Sequence, residues 1–163
     1  KYVNDEYGCL SNFSNHPIKD DLGRVWGTTE AWYQAQKFPD HPDLQEQIRL
    51  KPSPKAAKIL AQLYPERVRK DWYEISIEIM EQALLMKLRQ HKDVFQKLFS
   101  THPEARIVER SDKDSFWGDG SDGKGRNELG KLWMKIREEE WWHGPGSYIH
   151  IDPEAKIPNF TRE

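Results

Sequence analysis

The feature that most constrains the fold is the periodic segment DWYEISIEIMEQALLMKLRQH, residues 71–91. Apolar side chains recur in it at about 3.6 residues, the spacing that aligns them on one face of an α-helix. These side chains are Trp72, Ile75, Ile79, Ala83 and Met86. A helix with such a face buries it against other elements. The segment therefore predicts the strongest helix of the chain.

Shorter elements surround this helix. Proline and N-cap residues delimit further predicted helices, because proline interrupts a helix and Ser or Thr caps its first turn. The predicted helices span 29–38, 43–50, 53–63, 93–101 and 127–140. A short hairpin is expected to end at Val25 and Trp26, and ARIVER, residues 105–110, is the clearest strand candidate.

The composition bounds the class of protein. A chain of 163 residues is long enough for one domain with a sizeable core. We expect that domain over residues 1–140, with 141–163 as an appendage packed on it or partly ordered. The net charge of -2 does not indicate a nucleic-acid-binding surface.

Cysteine usage and hydropathy bear on location. Cys9 is the single cysteine, so an internal disulfide is excluded and a reducing compartment is favoured. No apolar run has the length of a membrane span, and no signal-peptide pattern occurs at the start. We therefore expect a cytoplasmic protein without a membrane partner.

The segment TTEAWYQAQKF, residues 28–38, carries an unusual helical stripe. Glu30, Tyr33, Gln34 and Lys37 fall at i, i+3, i+4 and i+7, so they share one face of the predicted helix. That face is normally apolar, and here it carries a carboxyl, a phenol, an amide and an amine. Either the stripe faces water, or it faces a pocket and takes part in chemistry.

Residues 49–70 are strongly basic. Seven Lys and Arg side chains stand there against the single acid Glu66, a local net charge of +6. The start of a predicted helix at Ser53 lies within the stretch, and helix N-termini with basic side chains favour phosphate. A solvated basic face is the alternative.

The segment SDKDSFWGDGSDGKGRNELGK, residues 111–131, contains five glycines. Three of them match G-x-G-x-x-G formally, but the loop does not pass directly from strand to helix, and four acids among residues 112–122 would repel a pyrophosphate. A flexible loop is the simplest interpretation. Phe116 and Trp117 argue against it, because large aromatic side chains suit the wall of a site better than a mobile surface.

Metal chemistry has little support in the sequence. The six histidines show no paired ligand spacing, so no metal site and no cofactor are expected.

Taken together, these stretches resemble the NADAR domain family of YbiA-like N-glycosidases. The matching segments lie in order over about residues 7–137. They are LSNFSNHPI, WGTTEAWYQAQKF, AAK before VRKDW, IMEQALLMKLRQH and IVERSDKDSFWGDGSDGKGRNELGKLWMKIR. The resemblance implies an α+β, predominantly helical single domain with a few short strands.

The resemblance also implies hydrolysis of the bond between ribose C1 and an exocyclic nitrogen. Two substrate classes are associated with the family: phosphoribosylamino-pyrimidine intermediates of riboflavin synthesis, and ADP-ribose attached to guanine in nucleic acid. The expected partner is thus a small nucleotide or ADP-ribosyl substrate, free or on nucleic acid, and no obligate protein partner is evident. A non-catalytic module that binds ADP-ribose or a nucleotide is the alternative, as is a helical domain with a solvated stripe.

The site residues follow from the matching motifs. The residues expected to act in catalysis are Lys37, Glu30 and Asp114. The residues expected to bind substrate are Asn12, Phe13, Tyr33, Gln34, Arg69, Trp72, Trp117, Gly118, Asp119, Gly120 and Asn127. A lysine with a lowered pKa attacks C1 of an opened ribose, a carboxylate steadies the cation or transfers protons, and Arg69 with Lys70 holds phosphate.

Overall fold

The computed structural model describes residues 5–141, which form six α-helices and one two-stranded sheet. The helices are α1 (Thr29–Ala35), α2 (Pro42–Arg49), α3 (Pro54–Gln62), α4 (Trp72–Gln90), α5 (Lys92–Ser100) and α6 (Glu128–Trp141). Short 3-10 helices span Gly8–Leu10 and Pro65–Arg67. The predominantly helical α+β class is confirmed. The appendage was expected over 141–163; residue 141 is the last residue of α6, and residues 142–163 lie outside the described residues.

The short helix α1 lies in the interior of the fold. Thr28 caps it, because its hydroxyl accepts a hydrogen bond from the backbone N–H of Ala31 at 3.2 Å. All seven residues of α1 are buried, and the helix packs against α2, α3 and α4. Trp32, Ala35 and nearby Phe38 join an apolar cluster with α2 and α3. The polar stripe on the other side of α1 is therefore not a solvated face.

The long helix α4 packs between two apolar clusters. Met80 and Leu84 lie in a cluster with α5 and α6, whereas Ala83 lies in the cluster around α1. The buried residues of α4 are Trp72, Ser76, Met80, Ala83, Leu84, Lys87 and Leu88. Three members of the stripe expected from the sequence, Ile75, Ile79 and Met86, are only half-buried. The buried face of α4 includes two polar side chains, Ser76 and Lys87. The pattern of apolar residues alone therefore did not identify that face correctly.

The predicted hairpin is present. Strands β1 (Ile18–Lys19) and β2 (Val25–Trp26) pair antiparallel, with Ile18 opposite Trp26. The Asp20 side chain organises the turn by accepting hydrogen bonds from the backbone N–H of Arg24 at 2.9 Å and from Trp26 Nε1 at 2.9 Å.

The strand predicted over 105–110 is wrong: the segment forms no strand. The side-chain amide of Asn127 takes the place of a neighbouring strand. Its oxygen accepts from the backbone N–H of Glu109, and its nitrogen donates to the carbonyl of Ile107, both at 2.9 Å. The backbone N–H and C=O groups of an extended segment need hydrogen-bond partners, and here the Asn127 side chain provides two of the bonds that a neighbouring strand would otherwise make.

Within residues 5–141, no helix is both long enough and apolar enough to cross a membrane.

Candidate active site

A cavity of about 550 Å³ opens beside the polar stripe of α1. All four stripe residues line it, together with the first turns of α4 and the loops around residues 11–13 and 109–118. The question left open by the sequence is thereby answered, since the stripe faces a pocket.

The carboxyl group of Glu30 is buried in this wall, with 5% of the residue exposed. Its Oε1 accepts a hydrogen bond of 2.7 Å from Nε2 of Gln34, one turn later on α1. Burial raises the pKa of Glu30, while the Gln34 hydrogen bond and the charges of Lys58 and Lys37 oppose the shift. Glu30 is thus a carboxyl whose proton is held more tightly than usual, as a general acid and base requires.

Lys37 follows the end of α1 and stands at the same wall. Its Nζ lies 5.5 Å from the ring centroid of Trp72, and its carbonyl accepts a 2.9 Å hydrogen bond from the backbone N–H of Arg69. Burial lowers the pKa of Lys37, the charge of Glu30 opposes this, and the charge of Lys58 adds to it. The neutral amine that a nucleophile needs is therefore favoured. The lowering comes from burial and from the charge of Lys58.

Aromatic side chains form a second wall. The Tyr33 ring lies 5.0 Å from Trp72 and 5.6 Å from Trp117, measured between ring centroids. Burial and the charge of Glu30 raise the pKa of Tyr33, so its phenol stays protonated and acts as a hydrogen-bond donor. Trp117 also packs against the cluster around α4, so this side chain belongs to both the core and the cavity wall.

The loop from Ser11 to Phe13 completes one edge of the cavity. The carbonyl of Asn12 accepts a hydrogen bond from the hydroxyl of Thr29 at 3.2 Å, which fastens the loop to the start of α1. Phe13 is partly exposed at the rim.

Asp114 lines the cavity from the glycine-containing loop. Its Oδ1 accepts hydrogen bonds from the backbone N–H groups of Phe116 at 3.0 Å and Trp117 at 2.8 Å. These bonds hold the turn that presents Trp117 to the cavity. Gly118 lines the cavity as well, and the backbone of the loop crowds it, since an added Cβ would lie 2.8 Å from the carbonyl oxygen of Glu109.

One buried polar atom at the cavity has no protein partner. Gln34 is 3% exposed, and its Oε1 accepts no hydrogen bond, although its Nε2 donates to Glu30. A buried acceptor without a donor is unfavourable by about 1–3 kcal/mol, so it is expected to find a donor on a bound molecule.

Four expected binding residues do not line the cavity. Arg69 forms a two-point ion pair with Asp71 at 2.6 and 2.8 Å. Asp119 accepts from the backbone of Ser111 and from Arg110, both at 3.0 Å. These two side chains fix local loops rather than facing the pocket.

The other two are Gly120 and Asn127. Gly120 has φ of +68°, so it is needed for a turn that other residues adopt at a penalty. Asn127 serves the 105–110 segment with both atoms of its amide, as described above.

The cavity also includes charged residues that the sequence did not single out. Lys58 of α3 and Lys113 bring positive charge, and Glu109 brings a half-buried carboxyl whose pKa is raised chiefly by that burial. Lys58 lay inside the basic stretch, but nothing in the spacing distinguished it from its neighbours. Ser76 had a visible signal, because it is a small polar residue on a buried line of a long helix.

Comparisons with known proteins show which proteins this chain is similar to. The family model described as the NADAR domain matches residues 1–141. The chain is 41% identical over 137 residues to N-glycosidase YbiA of Escherichia coli (strain K12), with 84% of each protein covered. It is 38% identical over 159 residues to a riboflavin biosynthesis protein of Vibrio vulnificus (strain YJ016), covering 96% of this chain and 42% of that protein.

A solved structure has the same fold. The NMR structure of Escherichia coli YbiA superposes with a TM-score of 0.80 at 37% identity, covering 93% of this chain and 89% of that one.

Proposed function

This chain belongs to the NADAR domain family and is a hydrolase of N-glycosyl compounds, and we propose that it cleaves the bond between ribose C1 and the exocyclic amine of phosphoribosylamino-pyrimidines. The observation that carries the proposal is the placement of Glu30, Gln34 and Lys37 on one buried wall of a single cavity. A module that only binds nucleotides has no need of an amine whose pKa is lowered beside a buried carboxyl.

Lys37 is the nucleophile in this proposal. Once the ribose ring opens, the neutral Nζ forms a bond to C1, and the bond from C1 to the exocyclic nitrogen breaks. The nitrogen leaves as an amine with one added proton, and C1 remains joined to Lys37 as a Schiff base. Water then adds to C1, the C1–Nζ bond breaks, and the sugar is released as an aldehyde that can close again. One water molecule is consumed for each bond cleaved.

Glu30 moves the protons. Its raised pKa suits a group that donates a proton to the leaving nitrogen and then accepts one from the attacking water. The hydrogen bond from Gln34 fixes the carboxyl, and Oε1 of Gln34 is left to accept from a hydroxyl or amine of the substrate.

Two lysines are available for the phosphate. Lys58 and Lys113 line the cavity, and among the described residues that line it there is no arginine. Lys58 and Lys113 therefore replace Arg69 and Lys70 as the proposed phosphate ligands. The base lies against Tyr33, Trp72 and Trp117, whose flat faces suit a planar ring.

ADP-ribosyl-guanine is the second candidate substrate, and one observation favours it. Tyr73 lines the cavity with 93% of its surface exposed, and partly exposed Phe13 also lines it. Exposed aromatic rings at a rim suit a second base, such as the adenine of ADP-ribose.

The test is a side-by-side assay of both substrates, with release of the free base measured for the wild type and for Lys37→Ala. We expect turnover of the phosphoribosylamino-pyrimidine by the wild type and none by the variant. Turnover of ADP-ribosyl-guanine alone, with a KM that rises in Tyr73→Ala, would assign the second substrate. Tight binding of either compound with no turnover would instead support the alternative, a module that only binds nucleotides.

A cytoplasmic location and the lack of an obligate protein partner stay predictions.

A further inference from the structure

Three metal-ligating side chains meet outside the cavity. One ligand atom from each of His16, His91 and Asp93 lies within 4.8 Å of the other two. His16 precedes strand β1, His91 lies between α4 and α5, and Asp93 is in the first turn of α5. None of the three lines the cavity, so N-glycoside cleavage as proposed above makes no use of them.

The hydrogen bonds around Ser14 are compatible with a proton on Nδ1 of His16 and a lone pair on Nε2. The Ser14 hydroxyl donates to the carbonyl of Cys9 at 3.2 Å and accepts from Nζ of Lys87 at 2.5 Å. When its one proton is donated to Cys9, Nδ1 of His16 is the donor in their 2.9 Å contact. A neutral His16 then has its lone pair on Nε2, which lies 2.8 Å from Oδ2 of Asp93. A lone pair and a carboxylate oxygen repel each other at this distance, so either a proton on Nε2 or a bound metal cation joins them.

His91 has a similar arrangement. Its Nε2 contacts the carbonyl of Pro17 at 2.5 Å, and since a carbonyl only accepts, Nε2 is the donor. The lone pair of a neutral His91 is therefore on Nδ1. Metal-binding histidines characteristically donate their other ring N–H to a carbonyl or similar acceptor, which orients the ring. Both imidazoles here have such a partner, Ser14 for one and Pro17 for the other.

From this geometry we infer that His16, His91 and Asp93 bind a divalent transition-metal ion, Zn²⁺, with water as the fourth ligand. Two imidazoles and a carboxylate form a ligand set that zinc accepts in tetrahedral geometry. Ligand atoms around tetrahedral zinc are about 3.3 Å apart. On binding, the contact between His16 and Asp93 lengthens slightly and the widest pair of ligand atoms moves closer together. The Asp93 side chain is 65% exposed, so the ion can enter from solvent.

The ion would join the segment before β1 to the junction of α4 and α5. That segment begins with Ser11 and Asn12, which line the cavity. The site thus contributes to the stability of the fold, and its removal lowers Tm.

The test uses tag-free full-length protein, stripped with chelator and titrated with ZnCl₂ by calorimetry, with MgCl₂ as the control ion. We expect one Zn²⁺ per chain, a higher Tm with Zn²⁺, and no response to Mg²⁺. His16→Gln and His91→Gln should each weaken Zn²⁺ binding at least about tenfold. His41→Gln and the double variant His143→Gln/His150→Gln are the matched controls, and both should bind as the wild type does.

Asp93→Asn keeps the test decisive if a histidine variant fails to fold, because the exposed Asp93 side chain is not needed for packing. It should fold and bind Zn²⁺ more weakly. Absence of Zn²⁺ binding, or equal binding by the wild type and by all folded cluster variants, would overturn the inference and leave His16 as an imidazolium paired with Asp93.

Discussion

Nε2 of Gln34 donates a 2.7 Å hydrogen bond to Oε1 of Glu30, one helical turn earlier on α1 and inside the wall of the cavity. A carboxylate only accepts hydrogen bonds, so this contact turns the amide nitrogen toward Glu30 and leaves the amide oxygen without a protein donor. One pair of residues thereby fixes a carboxyl for proton transfer and presents an acceptor to the substrate.

Glu30→Gln is expected to lower kcat by about a hundredfold or more, since a general acid and base is lost. The same variant should have a higher Tm than the wild type at pH 7. Burial raises the folded-state pKa of Glu30, so stability falls as the pH rises from the ordinary pKa of a glutamic acid to that raised pKa, and it stays lower above it. The gain in Tm should shrink as the pH falls from the raised pKa toward the ordinary pKa of a glutamic acid, and it should be absent below the ordinary value. Kinetics and thermal melts at several pH values measure both effects, with the exposed Glu78→Gln as control. Near-full turnover would remove Glu30 from the mechanism.

Lys37 should form a covalent bond to the sugar during turnover. Borohydride added to the working enzyme should trap an adduct on Lys37 with the mass of the ribosyl part and without the base, seen by mass spectrometry. Lys37→Arg should be as inactive as Lys37→Ala, because arginine stays protonated and cannot attack C1. An active Lys37→Arg enzyme would instead favour direct attack by water with Glu30 as the base.

The positive charge of Lys58 should lower the pKa of Lys37. Activity that needs the neutral amine rises with pH, and the lowered pKa of Lys37 places that rise below the range of an ordinary lysine. Lys58→Met removes a like charge, so the pKa of Lys37 increases and the rise of kcat/KM moves to higher pH. Lys55→Met, one turn earlier on α3 and exposed, should leave the profile in place. An unchanged pH profile of kcat/KM in Lys58→Met would show that Lys58 does not affect the pKa of Lys37.

Chelation should leave catalysis intact. The proposed steps use only Lys37, Glu30 and water, and His16, His91 and Asp93 lie outside the cavity lining. We expect full initial rates after EDTA treatment at 25 °C, together with a lower Tm from loss of the ion at the histidine cluster. Loss of activity that Zn²⁺ restores at that temperature would place a metal in the reaction.

Gly130→Ala should destabilise the fold. A Cβ at Gly130 would collide with the carbonyl oxygen of Ile107 and with the Asn127 side chain, which joins the 105–110 segment to α6. Overpacking of this kind is unfavourable by about 1–3 kcal/mol, and each kcal/mol lowers Tm by about 2–4 °C in a domain of this size. Thermal melts measure the change. Gly27→Ala is the control, since nothing lies within 4 Å of a Cβ there. Equal Tm values for the two variants would contradict the proposed contact.

The sequence by itself determined the helices and the stripe. Local signals sufficed for these, because a proline, a cap such as Ser53 and an apolar period act within a few residues of one another. The four polar residues spaced from Glu30 to Lys37 were likewise visible, and the resemblance to a family gave their spacing a chemical meaning.

Only the tertiary structure decided which long-range partners each side chain meets. The 105–110 segment has strand-like residues, yet Asn127 satisfies its backbone, and no local pattern encodes that contact. Arg69 looked like a phosphate ligand in a basic stretch, but Asp71 pairs with it, while Lys58 reaches the cavity because α3 packs on α1. His16 and His91 are far apart along the chain, so spacing did not bring them together. The chemical character of the stripe can be seen in its residues. Which side chains line the cavity is decided only by the fold, because burial and charge pairing depend on how the helices pack in space.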